Sequence, residues 1–196
     1  MNIREILNAA SVIPVLELDR LEDAAPLARA LADGGLRVAE LTLRTTADGP
    51  RLFRNPVREI DLIHATEHRW TDIVLKPGDN PLADLRGELF DIRADVDLGD
   101  ATELGLVVRG EPITYSVTER KLTALGTAPL ALVDGRLRLQ LLVDRTSIET
   151  FADGGRVSLT GCFLPGADSV GLSLFARGGT VRVRSLVVYE LRPAWR

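Results

Sequence analysis

The chain of 196 residues is poor in several residue types, and each shortage narrows what it can be. A single cysteine, Cys162, excludes any intrachain disulfide and any cysteine-rich metal cluster. Two histidines, His64 and His68, leave little material for a histidine-based active site. Aromatic residues make up 5% of the chain, too few for an extended stacking platform. No apolar run approaches the twenty or so residues of a membrane-spanning helix. The start, MNIREILNAASVIPV, lacks a basic leader followed by an apolar stretch, so a cytoplasmic protein is expected. The formal net charge of -4, from 28 acids and 24 bases, is too mild to predict a nucleic-acid or membrane partner. Lysine is nearly absent: Lys76 and Lys121 are the two in the chain, and 22 of the 24 bases are arginine. Arginine favours forked hydrogen bonding over point-charge chemistry, and scarce lysine limits amine catalysis.

What is present falls into two textures. Residues 1 to about 36 read as α/β. SVIPVLEL is a mostly apolar run of strand length. DRLEDAAPLARALADGG has Asp19 as a cap, Leu21, Ala24, Ala25, Ala28 and Leu31 at helical spacing, and Gly34-Gly35 at the stop. LRVAELTLR follows as a second strand, completing a βαβ unit. After about residue 50, period-2 alternation takes over. Phe90, Ile92, Ala94 and Val96 share one face of ELFDIRADV, with Asp91, Arg93 and Asp95 on the other. Ile113, Tyr115 and Val117 share a face. Leu137, Leu139, Leu141 and Val143 alternate with Arg136, Arg138 and Gln140 after an Asp134-Gly135 turn. The predicted fold is mainly β: an antiparallel two-sheet β-sandwich with a short N-terminal βαβ-like appendage. The domains expected are 1–39 and 40–196.

The runs GPRLFRNPVREI, VLKPGDN, LRGELFDIRADV, DGRLRLQLLVDRTSIETFADGGRVSLTGCFLP and VVYEL resemble the C-terminal β-sandwich of glycoside hydrolase family 32, the invertase, levanase and inulinase family. The resemblance covers about residues 40–196. Separately, REILNAASVIPVLELDRLEDAAPLARALADGGLRVAELTLRT resembles the first quarter of 2-keto-3-deoxy-6-phosphogluconate aldolase, a class I aldolase. The two overlap on ELTLRT, so the chain reads as a chimera. The strand ELTLRTT is expected to pair within the sandwich, which has partners for its backbone groups.

Neither resemblance brings its reaction centre. By the aldolase resemblance, Glu40 matches the acid/base glutamate and Arg44 the arginine that binds the substrate's anionic end. The phenylalanine-rich strand carrying the Schiff-base lysine is missing, so the two are remnants. In the glycosidase family the catalytic carboxylates lie on a propeller, in Asn-Asp-Pro, Arg-Asp-Pro and Glu-Cys motifs that do not occur here. The expectation is an accessory sandwich with no catalytic residue, no metal and no cofactor. Its expected partners are a fructan or sucrose-like carbohydrate, and a propeller domain or a second copy on an exposed sandwich face. A glycosidase completed in trans is the alternative, and residual lyase activity a weaker one.

Three further patterns are read as structural. HATEH, from His64 to His68, matches an inverted zinc-protease motif but sits in strand-rich surroundings, and is read as a loop. Asp91, Asp95, Asp97 and Asp100 lack calcium-loop spacing and are read as a solvated face. Asp144, Arg145 and Glu149 are read as an ion pair or turn contacts. Cys162 is expected in the core.

Overall fold

The computed structural model describes residues 53–193 throughout, the backbone of Leu43–Thr46 and Gly49–Leu52, and Ala25, Pro26 and Arg29, which are helical. Those three fall inside the segment read as a helix from its spacing. The expected strand SVIPVLEL and Glu40 lie outside the described residues.

Strand β1 (Leu43–Thr46) pairs antiparallel with β2 (Gly49–Leu52), in a two-stranded sheet of their own. The expectation that this strand joins the sandwich is therefore overturned. A partner two residues along the chain costs the least loop-closure entropy. The compact units are Met1–Arg54 and Asn55–Arg196.

Among the described residues, the second unit holds eleven strands in two antiparallel sheets. They are β3 (His64–Leu75), β4 (Phe90–Asp97), β5 (Glu103–Val108), β6 (Glu111–Ser116), β7 (Lys121–Ala124), β8 (Thr127–Pro129), β9 (Arg136–Val143), β10 (Ser147–Ala152), β11 (Val157–Cys162), β12 (Leu172–Arg177) and β13 (Val181–Leu191). The large sheet runs β11-β10-β9-β4-β13-β3, and the small one β12-β5-β6-β7-β8. β4 and β9 sit at the centre of the large sheet, in a register that sets Ile92 opposite Leu141 and Arg93 opposite Gln140. The same register puts the alternating apolar residues of both strands on the inner side, as the alternation predicts, while Leu142 breaks the period and stands opposite Asp91 on the outer side.

The core fills the space between the sheets. Phe90, Ile92, Val96, Leu141, Ile148, Leu186 and Val188 of the large sheet are almost wholly buried. Leu106, Val108, Ile113, Leu122 and Leu174 meet them from the small one. Each such side chain contributes roughly 1.5–3 kcal/mol by leaving water. Tyr115 is buried among them, and its hydroxyl donates to the Leu130 carbonyl at 3.0 Å, which satisfies the one polar atom its ring brings in. The turn before β9 has Asp134 at φ 55 and Gly135 at φ 66, the primed-turn conformation its residues suggested. On the outside of the small sheet, Gly105 lets Phe175 lie flat. A Cβ there would come within 2.2 Å of the ring.

Arg109 closes one end of the sandwich. It is buried, and its guanidinium donates to four backbone carbonyls: Nε to Ser169 at 3.1 Å, and Nη1 to Glu88, Asp144 and Arg145 at 3.4, 3.3 and 2.8 Å. One forked side chain thus ties three loops from both sheets, a use to which lysine is ill suited.

Candidate functional site

The polar face of the large sheet carries the chemistry of the unit. Alternation on β4 sends Asp91, Arg93, Asp95 and Asp97 outward, and on β9 Arg136, Arg138 and Gln140. Segment 55–63, ending in a 3₁₀ turn (Arg58–Ile63), leads into β3 and brings Asp61 to this face.

Asp91 is the anchor. It is completely buried, although it belongs to the face read as solvated. Four hydrogen bonds compensate it. Arg93 donates from Nε at 3.1 Å and Nη2 at 2.7 Å, Gln140 from Nε2 at 3.0 Å, and His64 from Nε2 at 3.1 Å. A carboxylate can only accept, so the shared proton of the His64 contact sits on Nε2. Arg93 Nη2 also donates to Asp61 at 2.7 Å. Burial works against the Arg93 charge, but the bonds to Asp91 and Asp61 outweigh it and push its pKa up. The Arg93 hydrogen bond in turn holds Asp61 below the usual carboxylate range. His64 stacks on Tyr189, with ring centroids 3.8 Å apart and planes 10° from parallel, and Arg93 lies over the same tyrosine at 5.3 Å. The network pins the 3₁₀ turn to the sheet.

Asp61, His64 and Asp91 bring ligand atoms within 4.8 Å of one another, close enough for a metal ion. Arg93 Nη2 is already 2.7 Å from both carboxylates, so the guanidinium supplies the positive charge they require. A metal there would face an adjacent fixed cation, and the donor set does not favour one.

The HATEH histidines lie in a strand, β3, and not in a loop. They do not converge. His64 reaches Asp91 and Tyr189, whereas His68 Nε2 meets Glu190 at 2.8 Å, the next residue along β13 and so on the other side of the strand. A register shift between Glu190 and Leu191 breaks the period that would have aligned them. The other aspartates are likewise dispersed. Asp95 pairs with Arg136, Asp97 with Arg184 at 2.7 Å, and Asp100 accepts from the Thr180 backbone N–H at 2.7 Å. The Arg184 hydrogen bond lowers the pKa of Asp97, and that Thr180 amide lowers that of Asp100.

Asp144, Arg145 and Glu149 do share a cleft of about 320 Å³, together with Ile60, Ile63, Leu142 and Leu191. They are not paired with one another through side chains. Arg145 Nε donates to Glu88 at 3.2 Å, and Asp144 accepts the Arg145 amide N–H at 2.7 Å, a turn contact. Cys162 is exposed, against expectation. It ends the edge strand β11, and the next residue, Phe163, takes the inward position under Arg109. Of the aldolase-like pair, Arg44 stands opposite Arg51 in the β1–β2 ladder.

A shallow trough of about 270 Å³ lies over the same polar face, lined by Asn55, Arg93, Asp95, Arg138, Gln140, Phe151 and Ser185 and by the Gly154-Gly155 turn. It adjoins a second depression of about 180 Å³ that shares Asn55, Arg93 and Gln140. Sequence reading missed this feature. The outward positions of Arg138 and Gln140 were legible, but nothing marked segment 55–63 as the wall beside them.

A closed pair of antiparallel sheets with a polar, arginine-tied outer face defines a β-sandwich module. Residues 59–190 match the family described as glycosyl hydrolases family 32 C terminal, and the chain belongs to that family. Residues 3–63 match KDPG and KHG aldolase. The chain is 33% identical over 181 residues to a levanase of Bacillus subtilis (strain 168), covering 80% of this chain and 27% of the levanase. It is 56% identical over 41 residues to a 2-dehydro-3-deoxy-phosphogluconate aldolase of Dickeya dadantii (strain 3937), covering 21% of this chain and 19% of that one. Among solved structures it is similar to an exo-inulinase from Aspergillus awamori, with TM-score 0.65 and 18% identity over 80% of this chain and 35% of the inulinase. A fructofuranosidase from Schwanniomyces occidentalis complexed with fructose gives 0.61 and 16%, over 78% of this chain and 39% of that one. These identities speak for the fold alone. The chain spans about a quarter of the levanase's length.

Proposed function

We propose that this chain is a non-catalytic accessory β-sandwich of a glycosidase that hydrolyses fructans or sucrose, without the catalytic propeller. The observation that carries this reading is the match of residues 59–190 to the C-terminal domain of the glycosidase family, and the setting of the surface carboxyl groups agrees with it. Among the described residues, every carboxyl group whose pKa is clearly displaced is displaced downward: Asp61, Glu67, Asp72 and Asp97 first by an arginine hydrogen bond, and Asp100 by a backbone amide. A general acid for glycoside cleavage needs the opposite, a carboxyl held protonated near neutral pH by apolar surroundings. Carboxylates locked onto arginines hold loops and strands in place. The family match supports the same assignment, since its kinship is with the C-terminal part of such enzymes.

The partner in this reading is a propeller-type domain. Val57 and Leu62 support it. They lie in the same segment as the cleft-lining Ile60 and Ile63 and are 54% and 73% exposed, so they add apolar surface beside the cleft. The similarity of the N-terminal residues to an aldolase adds no lyase activity, because an imine-forming lysine does not accompany Glu40 and Arg44.

The test is incubation of the purified chain with sucrose, inulin and levan, following released reducing sugar. No turnover is expected. Sustained release by the chain alone would overturn the proposal. Release only after adding a family 32 propeller chain would move it to the alternative, an active site completed in trans. Borohydride treatment with pyruvate should leave the protein mass unchanged, and a mass increase of one trapped pyruvate would restore the lyase reading.

A further inference from the structure

We propose that the trough on the outer face of the large sheet is a binding site for a neutral sugar, holding one or two residues of an oligosaccharide. The inference deepens the accessory-module reading and rests on it for the choice of a fructosyl ligand. The polyol chemistry rests on the trough itself.

Three features carry it. The first is shape. The depression exists because small residues, Ser185 and the Gly154-Gly155 turn, lie among large ones, Arg93, Arg138 and Phe151. It continues into the second depression across Asn55, Arg93 and Gln140, so two adjoining subsites share one wall.

The second is charge. Arg93 is neutralised by Asp61 and Asp91, and Arg138 lies 3.3 Å from Asp153. Asp95 is neutralised by Arg136. Each charged side chain lining the trough therefore already has a counter-charge beside it. The trough offers hydrogen-bonding positions of both kinds. The bonds of Arg93 use Nε and Nη2, and that of Gln140 uses Nε2. Among the described residues Arg93 Nη1 and Gln140 Oε1 take no other partner, which leaves a donor and an acceptor on two residues paired across β4 and β9. A sugar diol both donates and accepts, and matches that pairing better than a carboxylate or phosphate does. Phe151, 9% exposed, adds an apolar edge for the C–H surface of the ring.

The third is preorganisation. Buried Asp91 holds both Arg93 and Gln140 from beneath, so these two planar groups are oriented before a ligand arrives and little side-chain entropy is lost on binding.

The experiment is a heteronuclear NMR titration of the full chain with inulotriose and levantriose, with maltotriose and sodium sulfate as separate arms. Saturable shifts are expected at the Asn55 and Gln140 side-chain amides and at Gly154, Gly155 and Ser185, with a dissociation constant on the order of millimolar. Ser185→Phe should weaken binding at least tenfold while resonances away from the trough keep their positions. If that variant fails to fold, Asn55→Ala, at an exposed position, should weaken binding several-fold. No shift with any sugar, shifts confined to another surface, or the same shifts with sulfate alone would each overturn the trough as a sugar site and leave the accessory reading to its own assay. Shifts at the trough with maltotriose but not with fructans would uphold the site and count against the fructan assignment. Equal response to both sugars would uphold the site and remove its selectivity.

Discussion

The two faces of β4 and β9 are built from the same two strands and are held by different physics. The inner face, from Phe90 to Val96 and from Leu137 to Val143, is apolar and nearly dry. Its contribution scales with area removed from water and depends little on pH or salt. The outer face is arginine and aspartate in alternation. Most of its ion pairs are half exposed, such as Arg184 with Asp97 and Arg182 with Asp72, and each contributes little. Asp91 is the exception, a charge on the outer face buried as deeply as the core. The comparison teaches that stability is concentrated on one side of the sheet and orientation on the other, and that Asp91 couples the two.

Four substitutions sharpen or break that contrast. Phe90→Ala should have the largest effect, a loss of about 3–5 kcal/mol, read as a lower urea midpoint at unchanged slope. Asp91→Ala should cost about 2–3 kcal/mol, less than the loss of a fully buried pair because Arg93 keeps Asp61. It should also loosen Arg93 and Gln140, seen as averaging of the Gln140 side-chain amide resonances. If Asp91→Ala proved neutral, the outer face would have no keystone and the contrast would be complete.

Tyr115→Phe should cost about 1 kcal/mol at neutral pH through the lost bond to Leu130. Burial raises the Tyr115 pKa above its ordinary value of about 10, so the contribution of the protonated phenol is intact below that pH and is lost as pH rises through the raised value. Removing the hydroxyl should flatten the alkaline limb of the stability profile. Arg184→Gln should have the smallest effect. The Asp97 pKa is depressed in the fold, so its contribution is present above about pH 4 and is lost as pH falls through the depressed value. The variant should show a shallower acid limb than the parent at low salt and match it at high salt.

Much of the sandwich was legible because alternation is a local property. Phe90, Ile92, Ala94 and Val96 could be set on one face, and Asp134-Gly135 read as a turn, with no knowledge of partners. The errors all lie where a partner decides. HATEH holds its histidines at a spacing that would align them on a regular strand, and the shift at Glu190/Leu191 separates them. Cys162 has a core residue's chemistry, but Phe163 beside it is the one that turns in. Asp91 follows the polar period faithfully and is nevertheless buried, because Gln140 and His64 come to it from 49 and 27 residues away.

By itself the sequence determined the class of fold, the strands and most of their faces, and the absence of both reaction centres' motifs from their neighbourhoods. These follow from side-chain period and residue type, which need only adjacent residues. The tertiary structure alone decided that ELTLRTT's last residues pair with Gly49–Leu52, that an aspartate of the polar face is the buried centre of a network, and that Asn55, Gln140 and Ser185 line one trough. Those outcomes depend on strand register and on loops folding back over a sheet, and register couples residues far apart in the chain through hydrogen bonds that no local pattern specifies.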